Sequence, residues 1–287
     1  MKGIIRIVVL MCSLALGLGP VVETAGGAQA QQSQQPPAKQ PATGAAPAQP
    51  APPPVNKEEE DAYVAFVNAR RETSEKQAQM GEEFLQKFAD SRYRESIYSR
   101  LAAVYQNLGQ DQKMFAAGDK ALELNPDNVD VLTLVGWMLP RKASANDLDF
   151  DQKLQRAEKL SKHAMTLIAA MTKPGNLTEE DFAKAKSERI SMAHSGLGMV
   201  YYRRQRPVEM VASYEQATQL STSPDPSDLF MLGEGYALVK RYGDAGTTFD
   251  RCGQIGWAWQ ERCKRRAEEV KKLSAAPPAP AAPAPKP

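Results

Sequence analysis

Cysteine and histidine are scarce in this chain. Its 287 residues include three cysteines and two histidines. His163 and His194 stand apart from carboxylates and cysteines at metal-ligand spacing, so neither a metal site nor a cofactor is expected from them. Long apolar runs are also missing. The main one, Ile7 to Leu18, falls short of the ~20 residues that a helical membrane span needs. Neither sign of charge prevails: 36 basic residues face 34 acidic ones, which gives no electrostatic case for nucleic acid or an anionic lipid surface. The basic groups Arg203-Arg204-Gln205-Arg206 and Lys264-Arg265-Arg266 read as solvated helix faces or helix C-termini.

No useful stretch alternates apolar and polar residues with the period of a strand. Phosphate-cradling glycine loops are absent too. Gly196-x-Gly198 and Gly233-x-Gly235 lie inside helical patterns, where small residues serve packing. Ser195-Gly196 lacks the strand-turn-helix setting of a nucleophile elbow. With no catalytic constellation, the chain is not expected to be an enzyme.

What is present begins with a targeting layout. Lys2 and Arg6 precede the apolar run, Gly19-Pro20 breaks it, and Ala28-Gln29-Ala30 has the A-x-A form of a cleavage site. Residues 1–30 are therefore expected to be a secretory signal. The mature chain would be periplasmic or secreted after cleavage near Ala30, without an integral membrane span; retention of the segment as an anchor is the alternative. Residues 31–56 are rich in Gln, Pro and Ala, and residues 275–287 in Pro and Ala. Both are expected to be disordered, because they cannot bury enough apolar surface to offset ordering entropy. The remaining cysteines, Cys252 and Cys263, are either a disulfide, as an exported protein permits, or two small buried side chains.

Residues 57–274 carry apolar side chains at three- and four-residue spacing, the mark of amphipathic helices. An internal repeat runs through them. Tyr98, Leu101, Ala102, Tyr105, Ala121 and Pro126 form its clearest copy. Leu197, Gly198, Tyr201, Tyr214 and Ala217 form another, and so do Leu229, Leu232, Gly233, Tyr236, Ala245 and Phe249. Two weaker copies lie near 58–91 and 129–171. In the second of these, Pro140 is expected to end a helix early and a polar insert to follow. Thr178-Glu179-Glu180-Asp181 reads as a capped helix start.

This pattern of bulky, small and aromatic residues resembles the tetratricopeptide repeat, a helix-turn-helix unit of 34 residues. The junction Phe88-Ala89-Asp90-Ser91-Arg92-Tyr93 is similar to one found in exported bacterial members. The resemblance implies an all-α solenoid of about five helix pairs, closed by a C-terminal capping helix near 258–273. It also implies a non-catalytic scaffold or adaptor in the cell envelope. The partner would be a protein or an extended peptide held in a concave groove lined by the first helix of each pair. The groove positions are Arg100, Ala103, Asn107, Thr133, Trp137, Arg141, Met199, Tyr202, Arg203, Phe230 and Glu234. Trp137 and Phe230 serve equally well as internal packing. The lysine and asparagine set with which chaperone-binding members clamp a C-terminal carboxylate is not reproduced.

One alternative is a ligand- or calcium-binding repeat protein. Asp147, Asp149, Asp151, Leu154 and Glu158 fall at positions 1, 3, 5, 8 and 12 of a calcium loop. Gln152 stands where such a loop needs glycine, and Leu148 and Phe150 are apolar where polar residues are usual. A capping role for Asp149 or Asp151 on the next helix is the simpler expectation.

Overall fold

The computed structural model describes residues 56–275, Gly256 excepted. The expected signal segment, the linker to residue 55 and the tail from 276 lie outside the described residues. Within them the chain is helical, with no strand. Five helix pairs follow in order: α1 (Lys57–Asn68) with α2 (Ser74–Lys87), α3 (Arg94–Asn107) with α4 (Asp111–Leu124), and α5 (Val129–Lys142) with α6 (Phe150–Ala170). Then come α7 (Glu179–Arg203) with α8 (Pro207–Leu220), and α9 (Pro226–Leu238) with α10 (Tyr242–Gln254); α11 (Gln260–Ala275) closes the stack.

Polar side chains start these helices where the sequence supplies them. Asn56, Thr73, Asn128, Thr178 and Asp225 each accept a backbone N–H from the first turn of the following helix. Packing then depends on how closely the two helices of a pair approach. A Cβ at Gly198 would stand 2.6 Å from the Tyr214 ring, and one at Gly233 would stand 2.6 Å from the Phe249 ring. Both rings are fully buried. A small residue on the first helix thus receives an aromatic ring from the second, sixteen positions later in each pair.

Polar links then join one pair to the next. Tyr105 donates to Glu82 at 2.6 Å, and Lys113 reaches the same carboxylate at 2.8 Å. Tyr236, Glu215 and Arg241 repeat the arrangement at 2.7 and 3.3 Å. Burial and the Glu215 hydrogen bond push the Tyr236 phenol up to about 12. Further links between pairs span 33 residues, about one repeat: Tyr63 with Ser96, Arg100 with the Val67 carbonyl, Asn128 with Glu95, and Ser195 with Asp228.

One expectation is corrected. Pro140 does not end its helix, and α5 continues to Lys142. The proline lacks only its own N–H and so releases a single carbonyl, that of Gly136, while the Ala143 N–H bonds the Leu139 carbonyl at 3.0 Å. The released oxygen faces α7, where a Cβ at Gly196 would stand 3.0 Å from it. The proline therefore lies where two helices cross closely, two residues from the helix end.

The turns inside pairs two, four and five share one conformation. Gly109, Gln205 and Lys240 all have positive φ, at 67°, 56° and 61°. The next N–H reaches back to the Tyr105, Tyr201 or Tyr236 carbonyl respectively. Only the first of these positions is a glycine. A side chain in this region costs about 1–2 kcal/mol, whereas glycine adopts it freely but loses more entropy on folding. Lys240→Gly is expected to raise unfolding stability by about 0.5–1 kcal/mol, read from urea denaturation; a loss of stability would contradict the strain assigned to this turn.

At the end of the stack Cys252 and Cys263 are joined in a disulfide, with Cα atoms 5.8 Å apart. It ties α11 to α10, alongside the buried Ala267 and Val270. Chain-entropy arithmetic for so short a loop gives about 3 kcal/mol. Replacing both cysteines by alanine is expected to lower stability by up to that amount and to increase hydrogen exchange in α11 first; equal loosening at α3 would contradict a local role.

Candidate functional site

The first helices of consecutive pairs meet side by side: α3 contacts α5, α5 contacts α7, and Ser195 of α7 bonds Asp228 of α9. The expected groove positions lie on these helices, and they divide into three groups.

Two are buried. Thr133 is 2% exposed, and its hydroxyl donates to the Val129 carbonyl at 2.7 Å. Phe230 is 3% exposed, with ring centroids 5.5 Å from Phe249 and 5.2 Å from Trp259 and the Arg262 guanidinium 4.3 Å from its own. Neither presents a surface to a partner. Their positions along the chain are those of wall residues, but α5 is enclosed on nearly every side, and the 3-10 turn Trp257–Trp259 with α11 covers α9.

Five others, Trp137 among them, are half-buried and engaged within the chain. Arg100 donates to the Val67 carbonyl at 2.9 Å and to Gln77 at 3.0 Å, and burial lowers its pKa. Arg203 bonds the Ala143 carbonyl and lies 5.0 Å from the Phe150 ring centroid. Glu234 takes a two-pronged pair from Arg266, at 2.6 and 2.7 Å. That pairing raises the already high pKa of Arg266. Arg141 belongs to the cluster described next. Asn107 and Tyr202 are exposed, and Ala103 and Met199 are half-exposed, so these four form the accessible part of the expected wall.

At the centre is a polar cluster built by three first helices. From α5, Arg141 donates to the Trp137 carbonyl at 2.8 Å, to the Ser195 hydroxyl at 2.7 Å and to Asp228 at 3.2 Å. The Trp137 indole N–H donates to the same hydroxyl at 3.2 Å, and the guanidinium lies 4.6 Å from a Trp137 ring centroid. From α7, the Ser195 hydroxyl donates a hydrogen bond to Asp228 of α9 at 2.6 Å. Asp228 is 7% exposed. Burial pushes its carboxyl up to about 6, against the pull of Arg141 and the Ser195 hydrogen bond. The Tyr214 hydroxyl, on α8, is buried without a partner, and burial raises its pKa.

The sequence pointed to Trp137 and Arg141 but not to Ser195 or Asp228. The signal available was the interval of 33 residues between these two, about one repeat. The cluster has a carboxyl, a guanidinium and a hydroxyl, yet it is enclosed and each group is satisfied by the others, which suits joining helices better than attacking a substrate.

The expected calcium loop is otherwise occupied. The Lys153 ammonium lies 2.9 Å from both Asp147 and Asp149, Leu154 is fully buried, and Glu158 pairs with Lys162 and Arg204. Asp149 stands at the start of α6 without capping it through its side chain. Among the described residues no group of three or more His, Cys, Asp or Glu could hold a metal ion. His163 contacts Asp127 at 2.7 Å, and burial lowers the pKa of His194. A cavity of about 360 Å³ lies between Phe115, Leu139, Ala143 and Lys153, but Lys142, Lys153 and Arg156 at its rim are each paired with aspartates.

Arg141→Ala is expected to cost about 2–4 kcal/mol, because it strands a buried carboxyl and cuts the link between α5 and α9. Urea denaturation measures this, and a loss below about 1 kcal/mol would show that the cluster adds little to stability.

No protein-family profile and no curated protein matches the sequence. Solved structures do. PilF of Pseudomonas aeruginosa is 16% identical over 76% of this chain and 86% of its own, with a TM-score of 0.53. TTC0263, described as a thermophilic TPR protein of Thermus thermophilus, is 16% identical over 75% of this chain and all of its own, with a TM-score of 0.48. Helix pairs stacked in sequence order, small residues facing aromatic rings and polar links one repeat apart give this chain the tetratricopeptide-repeat fold.

Proposed function

We propose that the chain is a non-catalytic scaffold of the bacterial cell envelope, which holds a partner protein or extended peptide along its first-helix wall. The observation that carries this is the wall itself. Asn107, Met199 and Tyr202 remain accessible on it, while the chemistry-bearing side chains nearby are consumed in holding helices together. Tyr202, at 42% exposed, is a large side chain left in water at the end of α7. Tyrosine supplies contact area at low entropic cost and is enriched among the residues that dominate binding energy. The envelope location rests on the signal-like start of the sequence and on the cysteine pair. No helix among the described residues is long and apolar enough to cross a membrane.

The test is capture of envelope proteins by the full chain, followed by titration of the one retained. Tyr202→Ala and Asn107→Ala lie on the surface and should leave the helical signal intact. Together they are expected to weaken the complex by about 10- to 100-fold, with Ala116→Glu on the exposed face of α4 as the neutral control. Equal affinity for all three chains would remove the first-helix wall from the proposal.

A further inference from the structure

The cluster of Trp137, Arg141, Ser195 and Asp228 ties α5, α7 and α9 at a single point, and its one acid is almost without water. We propose that this cluster is a proton-operated joint between the third, fourth and fifth helix pairs, tighter when Asp228 is protonated and looser when it is ionised.

Three first helices converge on Asp228 Oδ1, which accepts a hydrogen bond from the Ser195 hydroxyl at 2.6 Å and one from Arg141 at 3.2 Å. Ser195 has already accepted the Arg141 and Trp137 donors. The carboxyl is thus held by a single cation that is itself mostly out of water, at 16% side-chain exposure. Other groups act on this site from the surrounding elements. Asp225, at the start of α9, is a second negative charge that disfavours ionisation of Asp228. Tyr214 comes from α8 with its hydroxyl unpartnered, and Tyr202 of α7 acts on Tyr214. Against the same end of α9, α10 places Cys252, 3.4 Å from the Pro226 carbonyl; bonded to Cys263, it does not titrate. The Arg266 guanidinium of α11 is engaged by Glu234 and Glu269.

Local opening at the joint would return Asp228 to water and to an ordinary carboxyl pKa of about 3.9. The closed joint holds its proton to about 6. Between these values the closed form binds a proton that the open form does not, so falling pH favours closure and rising pH favours opening. Above about 6 the carboxylate is ionised in both forms, and the joint is at its loosest. The joint lies on the wall proposed to bind a partner, but the chain alone suffices to test it.

Hydrogen exchange on the full chain, corrected for the intrinsic rate at each pH, reads the opening directly. Protection of the amides in α9 is expected to be about tenfold greater at pH 5 than at pH 7.5, whereas α2 is unchanged. In Asp228→Asn, which keeps the shape and the hydrogen bond, that ratio should fall to about one. His163→Gln and His194→Gln remove the chain's two imidazoles, and both should keep the tenfold ratio. A wild-type ratio near one, or a tenfold ratio surviving in Asp228→Asn, would overturn the proposal. Should Asp228→Asn fail to fold, carboxyl titration of the wild-type chain by carbon NMR decides. A midpoint near 6 for Asp228 supports the joint, and one near 4 overturns it.

Discussion

Helix spacing within the pairs is the constraint on which the rest of this structure depends. Where Gly198 faces Tyr214 and Gly233 faces Phe249, there is no room for even one further carbon between the helices. Across pairs the same limit holds where Gly81 meets Leu101, at 2.7 Å from a would-be Cβ, and where Gly118 meets Val135, at 2.8 Å. Interiors packed at this density transmit the position of one helix to the next. Each pair therefore sets the place of its successor, and the polar links that recur one repeat apart find their partners only because the spacing has already been set.

That order of causes explains why the polar residues differ so much from pair to pair while the architecture stays regular. Glu82 and Glu215 receive a tyrosine and a cation each. Between the first helices of the third, fourth and fifth pairs the links are Arg141, Ser195 and Asp228. At the end, Arg266 on Glu234 and Arg262 on Phe230 bring α11 over the first helix of the fifth pair, where a further repeat would have met it. A solenoid needs such a cover because its last pair has no successor. The cost is that the fifth pair offers little to a partner, and the accessible wall lies on α3 and α7.

Much of the fold was legible in the sequence, because the repeat records spacing and spacing is what packing enforces. Ala102, Gly198 and Gly233 mark the first helices, and Tyr214 and Phe249 mark the second helices of the fourth and fifth pairs. The turns could be placed too, although the left-handed residue is a glycine only at 109; Gln205 and Lys240 follow the fold against their own preference. Pro140 misled because a proline near a helix end removes one hydrogen bond without breaking the helix. The wall was harder to read. Thr133 and Phe230 have the right position on their helices, but burial there depends on α6, α7 and α11, which the local pattern does not include. Ser195 and Asp228 escaped notice because their chemistry arises only when three helices, far apart in the chain, come together.

The claim that steric contact at the glycines sets the helix spacing is tested most directly by a double-mutant cycle at Gly198 and Tyr214. If the ring is what forbids a side chain at 198, then Gly198→Ala should be markedly destabilising in the native background but nearly harmless beside Tyr214→Leu, with a coupling above about 1 kcal/mol in urea denaturation. Costs that simply add would mean that the close approach of these two helices is incidental, and the account of how this chain builds its stack would fail.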